Sequence, residues 1–198
     1  YGRLPEYHLS ETGRQMAELA AAELARRAAD GARIVWLGAS PLTRAQETAA
    51  PVSRELGLPV HTDERLIEAG NWFEGLHVDR RELAGSPRHW PKLLNPLRPS
   101  WGEPYREQVT RMAEAVKAAA VRAVELGGDG AEAVLVSHQL PIWITHLAVQ
   151  GEPLRHDPRR RRCALSSVTS FERDGDRWRE VSYAEPASLA RAVDVGAV

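Results

Sequence analysis

Two short apolar runs, Arg33-Ile34-Val35-Trp36-Leu37 and Ala133-Val134-Leu135-Val136, each stop at a polar strand end and give way to a helix-forming segment. Runs of this length bounded by helical patterns read as strands buried on both faces. Strands alternating with helices predict an α/β fold: a mostly parallel sheet covered by helices on both sides, in three layers. In such sheets ligands gather outside the carboxyl ends of the strands, so the residues just after Leu37 and Val136 are where function is expected.

The rest of the chain fits one domain over residues 1–198. Ser10 is placed to cap a helix reaching about Ala29, with Met16, Leu19 and Leu24 among its apolar positions. After the first run, Gly38-Ala39-Ser40-Pro41 predicts a helix start with serine at the cap and proline at the first helical position. That helix runs to about Leu56, with Pro51 placed to kink or split it. Residues 86–104 hold five prolines together with Trp90 and Trp101, which predicts an irregular cap or lid excursion, or tryptophans packed onto the core. A helix from about Tyr105 to Leu126 carries a core-facing stripe of Val109, Met112, Val116, Ala119 and Ala123, and Gly127-Gly128-Asp129-Gly130 stops it. A further helix runs to about Val149. Two late strands, near 164–171 and 177–183, flank Asp174-Gly175-Asp176 and predict a hairpin or sheet edge. Residues 185–198 read as a loose tail.

The two strand ends share a design. Ser40-Pro41-Leu42-Thr43-Arg44 and Ser137-His138-Gln139-Leu140-Pro141 both put polar side chains where a strand meets a helix N-terminus, whose free N–H groups and partial positive charge suit an anion. Arg44 adds a planar fork matched to two phosphate oxygens, and His138 a group that can donate to phosphate or carry a proton. A phosphate site is the simplest reading. The net charge of −1 provides no global field for nucleic acid or an anionic membrane, and no apolar stretch approaches the roughly 20 residues of a membrane span. Arg159-Arg160-Arg161-Arg162 reads as a solvated loop or edge, with a local anion or nucleic-acid contact as the sharper alternative. The single cysteine, Cys163, and the lack of a secretory pattern at the N-terminus fit a cytoplasmic protein. No metal-ligand spacing or dinucleotide fingerprint is present, so neither metal nor cofactor is expected.

The run S-P-L-T-R-A-Q-E-T-A, Ser40 to Ala49, resembles the S-x-L-x-R-A-x-x-T-A signature of the histidine phosphatase (phosphoglycerate mutase-like) superfamily. V-L-V-S-H-Q, Val134 to Gln139, resembles its second-histidine motif, and Leu9-Ser10-Glu11-Thr12-Gly13 its first helix opening. Leu66-Ile67-Glu68 with Phe73-Glu74-Gly75 resembles the segment that supplies an acidic residue. The resemblance implies that Arg44 and His138 bind phosphate, that His138 stabilises the transferring phosphoryl group, and that Glu68 is the general acid, with Glu64 and Glu74 as alternatives. Arg3, Ser40 and Gln139 would lie on the substrate side.

The family's nucleophile is the histidine of an R-H-G motif ending its first strand. No R-H-G occurs in this chain: Arg88-His89 is followed by Trp90, and His8 stands just before a helix. The expectation is therefore a phosphoglycerate mutase-like fold whose first strand, with its nucleophile, lies upstream of Tyr1. Many relatives also have glycines after the second histidine, where this chain has Gln139-Leu140-Pro141. The implied activity is phosphomonoester hydrolysis through phosphohistidine, on a small phosphorylated substrate or with inorganic phosphate as ligand. The alternative is a non-catalytic phosphate-binding module. A mutase would usually need longer insertions than this chain holds.

Overall fold

The computed structural model describes residues 2–70, 102–175 and 177–188. Nearly all of the proline-rich 86–104 excursion, with Trp90 and Trp101, lies outside the described residues, as do Glu74 and positions 189–198 of the expected tail. In chain order the elements are α1 (Glu11–Ala29), β1 (Arg33–Ala39), α2 (Thr43–Leu56), β2 (Val60–Thr62), a 3-10 turn (Glu64–Leu66), α3 (Tyr105–Gly127), β3 (Ala131–Val136), α4 (Gln139–Gln150), a second 3-10 turn (Pro158–Arg160), β4 (Val168–Asp174) and β5 (Arg177–Ala184).

The expected parallel sheet is present with order β2-β1-β3. Leu37 lies opposite Val60 on one side and Val134 on the other, and Ala39 opposite Val136. Because strand side chains alternate between faces, Val134 and Val136 pack with Leu37, Ala21, Leu24 and Val52 under α1 and α2. Leu135, between them, faces the other way and joins Leu66, Met112 and Ala115 under α3. Gly38 is required by this packing: a β-carbon there would stand 2.8 Å from Leu135 Cδ2. The antiparallel hairpin β4–β5 forms around the expected turn, although its first strand begins at Val168, after a turn in which Ser166 adopts a positive φ of 56°.

Three local expectations are corrected. Ser10 does cap α1, accepting from Gly13 N, but the buried face of that helix is Met16, Ala17, Ala20, Ala21 and Leu24, and Leu19 is exposed. The second helix does not start at Ser40-Pro41: it starts at Thr43 with Leu42 at the cap position and no side-chain cap. Pro51 neither splits nor ends it, and α2 runs unbroken to Gly57, whose left-handed φ of 66° closes it.

β3 and β4 are both sheet edges, and a cleft of about 1830 Å³ separates them. Its walls include the length of β3, the near edge of β4, Met16 and Ala20 of α1, and Val116 and Ala120 of α3. At one end it opens onto Arg44, Glu68 and His138. Among the described residues, no helix is long and apolar enough to cross a membrane.

Candidate active site

The site grows out of the ends of β1 and β3. Ser40, fully buried, follows the last residue of β1, and its N–H donates to Val136 O at 2.9 Å, so the two strand ends are stitched side by side. His138 is the N-cap residue of α4, but its ring makes no capping bond. Instead Nε2 shares a 2.7 Å hydrogen bond with Ser40 Oγ. Ser40 is thus taken from its expected cap role by a partner from the other strand end. Ser137 Oγ donates to Leu66 O at 2.7 Å, tying the 3-10 turn to the end of β3 and bringing Glu68, two residues on, to the same place.

Arg44 lies in the first turn of α2. Its guanidinium donates to Gly2 O at 2.7 Å and Leu4 O at 3.3 Å, while Thr43 Oγ1 donates to Pro5 O at 2.7 Å. The segment Gly2–Pro5 therefore straps the helix start. Arg3 does not extend into the opening as a free cation: it donates to Glu68 O at 2.8 Å and to Glu103 Oε2 at 3.0 Å. Gln139 Nε2 donates to Cys163 O at 2.8 Å and so anchors the loop that follows the second 3-10 turn.

Arg111, which the sequence reading did not single out, is the structural centre of the acidic side. It grips Glu103 with both Nε and an Nη at 2.7 and 2.9 Å, and reaches Arg65 O at 2.6 Å. A charged residue beside Met112 on an alanine-rich, core-facing helix was the available signal.

Burial and charge set the protonation states. Burial, helped by the nearby cations Arg44 and Arg111, pushes the His138 imidazole down to about 3, so it is neutral across the physiological range. Burial raises the Glu68 carboxyl above the ordinary carboxylate range. The Ala69 N–H, which Glu68 Oε1 accepts at 2.8 Å, and the charges of Arg44, Arg161 and Arg111 offset this only in part. The result is a fixed cation, a neutral imidazole and a carboxyl inclined to hold its proton, gathered at one end of the parallel sheet. Glu64, the alternative acid, is exposed in the 3-10 turn. His8 is also at the surface, paired with Glu47. Among the described residues no group of three or more histidine, cysteine, aspartate or glutamate side chains converges to hold a metal.

The sequence profile of the histidine phosphatase superfamily (branch 1) matches residues 1–186. The chain belongs to that superfamily. The uncharacterized protein Rv0525 of Mycobacterium tuberculosis is 52% identical over 190 residues, which covers 96% of this chain and 89% of that protein. Among solved structures, mycobacterial glucosyl-3-phosphoglycerate phosphatase Rv2419c superposes with a TM-score of 0.67 at 25% identity, covering 91% of this chain and 88% of that one. A phosphoserine phosphatase mutant from Entamoeba histolytica, in complex with phosphoserine, superposes with a TM-score of 0.70 over 94% of this chain and 88% of that one. At 18% identity, that second likeness speaks for the fold alone. The α/β architecture of the histidine phosphatases is therefore the architecture of this chain.

Proposed function

We propose that the protein is a phosphomonoester hydrolase that works through a phosphohistidine intermediate. The observation that carries this reading is the meeting of Arg44, the Ser40–His138 pair and Glu68 at the carboxyl ends of adjacent parallel strands. Superfamily membership and the phosphatase activity named for the Rv2419c structure support it. Arg44 holds two phosphoryl oxygens, and neutral His138 stabilises the charge that builds on them in transfer. The nucleophilic histidine belongs to a strand upstream of residue 1. The cleft between the edges of β3 and β4 supports that position, because a strand there would reach both edges and end beside Arg44 and His138.

In the first step the nucleophile's imidazole nitrogen forms an N–P bond as the P–O bond to the alcohol breaks. Glu68 gives its proton to the departing oxygen. In the second step water attacks phosphorus, Glu68 takes a proton from it, the N–P bond breaks and inorganic phosphate leaves. Glu68's raised affinity for a proton is what the first step needs at neutral pH.

The test is to mix the full-length natural protein with a phosphomonoester, quench rapidly and look for covalent phosphate that is labile in acid and stable in base. Trapped phosphohistidine together with turnover supports the reading. Turnover without it overturns the mechanism. Phosphate binding without turnover overturns catalysis and leaves a phosphate-binding module.

A further inference from the structure

Glu68 stands on backbone that belongs to neither helix nor strand: residues 67–70 follow the first 3-10 turn as irregular chain. Side chains from elsewhere receive the carbonyls around it. Ser137 Oγ donates to Leu66 O at 2.7 Å, Arg111 to Arg65 O at 2.6 Å, and Arg3 Nε to Glu68 O at 2.8 Å. Two of these three donors are guanidiniums, Arg3 from the Gly2–Pro5 strap and Arg111 from α3. A guanidinium on a long flexible stem fixes a carbonyl only if something in turn fixes the guanidinium.

Glu103 does so for both. Its Oε1 accepts from Arg111 Nε at 2.7 Å and its Oε2 from an Arg111 Nη at 2.9 Å, a bidentate pair. The same Oε2 accepts from Arg3 at 3.0 Å. The Glu103 and Arg111 side chains are only 14% and 15% exposed, so water and salt screen this pair less than the open surface pairs.

Glu103 is itself held at both ends of its peptide unit. Its N–H donates to Gly70 O at 3.1 Å, and its carbonyl accepts from Gln108 Nε2 at 3.0 Å. Gln108 is fully buried in the first turn of α3. Support therefore runs from α3 to Glu103, through two arginines, to carbonyls of the segment that carries Glu68. Both guanidiniums converge on Oε2, so without that charge two cations would be left side by side and both carbonyl bonds would loosen together.

We propose that Glu103 is a positioning residue for the general acid: its carboxylate locks Arg3 and Arg111, and through them the backbone that aims Glu68 at the departing oxygen. This rests on the phosphatase reading, in which Glu68 protonates that oxygen.

The experiment measures turnover by the full-length protein of an alkyl phosphate and of p-nitrophenyl phosphate, whose leaving oxygen needs little help from a proton. Glu103→Gln keeps the shape and removes the charge. It is expected to lower kcat about tenfold on the alkyl phosphate and less than about twofold on p-nitrophenyl phosphate, with KM little changed. In the Glu68→Gln background it is expected to cost nothing further, because a residue that acts only through Glu68 has no effect once that carboxyl is gone. Hydrogen exchange at the Ile67 and Ala69 amides, which donate to Glu64 O and Glu68 Oε1, is expected to quicken while β1 and β3 stay protected. Arg3→Gln, a change at a side chain 38% exposed, is the second variant should the first unfold, and is expected to show the same substrate bias. Equal losses on the two substrates, no loss on either, or a full further loss in the Glu68→Gln background overturns the assignment and leaves Glu103 a structural ion pair. No turnover by the wild type, with faster exchange in the variant, sinks the phosphatase reading and leaves the clamp on the Glu68 segment standing. No turnover with unchanged exchange overturns both.

Discussion

At the end of β1 the chain delivers a permanently charged guanidinium, and at the end of β3 an imidazole that stays neutral. The two junctions look alike in sequence, each a buried strand running through serine into a helix, yet their electrostatics differ by a full charge. Arg44 carries the intrinsic charge of a guanidinium, and two of its N–H groups donate to Gly2 O and Leu4 O of the strap. His138 loses its charge because it is buried beside two cations and bonded to a hydroxyl. A site that binds a phosphoryl dianion gains from one group that attracts charge at all distances and another that acts only at hydrogen-bond range.

The largest effect that would break this contrast comes from exchanging what each group supplies. Arg44→Gln keeps a planar donor and removes the charge, and is expected to lower kcat/KM about a thousandfold and weaken inorganic phosphate binding. His138→Gln keeps a neutral donor, so the expected loss is only about tenfold, against about a hundredfold for His138→Ala. Steady-state kinetics with phosphate inhibition measure both. Equal losses in the two glutamine variants would mean that His138 works as a cation.

Glu68 extends the contrast to the acidic side. Glu68→Gln is expected to cut kcat about a hundredfold for alkyl phosphates, whose leaving oxygen needs a proton, and far less for p-nitrophenyl phosphate. The same change is expected to stabilise the fold at neutral pH. A carboxyl whose folded proton affinity exceeds its unfolded value favours folding at low pH, and that contribution is lost as pH rises through the folded value. Melting temperature against pH should therefore slope less steeply downward above pH 5 in the glutamine variant. An unchanged slope would place the raised affinity elsewhere.

How far these features could be read in sequence depended on how local their causes are. The apolar runs at 33–37 and 133–136 and the glycine stop after α3 are local, and each element formed where expected. Ser40 was read as a helix cap because Ser-Pro is a local signal, but a long-range bond to His138, 98 residues away, claims its hydroxyl. Pro51 is absorbed because α2 is held along its length by α1 and β1, and tertiary packing overrides the local penalty. Glu103 was illegible for the same kind of reason. Its place is defined by Arg3, 100 residues away, together with Arg111, whereas its neighbours in sequence are Gly102 and Pro104 of the expected excursion.

A smaller effect concerns protonation of His138. Its folded value near 3 lies below the unfolded one, so its contribution to stability is present above the unfolded value and is lost as pH falls toward 3. Linkage gives a loss of about 2 kcal/mol between pH 7 and pH 5 from this group alone. Glu68 contributes in the opposite direction over part of that range, so the useful quantity is the difference between wild type and His138→Gln. Denaturant unfolding at the two pH values is expected to show the wild type losing more stability than the variant. Parallel losses would mean that the imidazole is protonated in the folded protein already, and the contrast between the strand ends would fall.

The smallest expected effect isolates the bond that joins the two ends. Ser40→Ala removes the hydroxyl that meets His138 Nε2 and, more weakly at 3.4 Å, Leu42 N. The residue is fully buried, so no water replaces the hydroxyl freely, and a stability cost of about 1–2 kcal/mol follows from leaving the ring nitrogen unpaired. Arg44 is untouched, so inorganic phosphate affinity should hold within about twofold while kcat falls severalfold as the imidazole loses its fixed orientation. A fall in phosphate affinity as large as that from Arg44→Gln would show that the serine hydroxyl contacts the anion itself. The strand ends would then act as one binding surface, with the charge difference between them incidental. A fall confined to kcat would instead mean that β1 supplies both the charge that binds and the hydroxyl that aims its neutral neighbour.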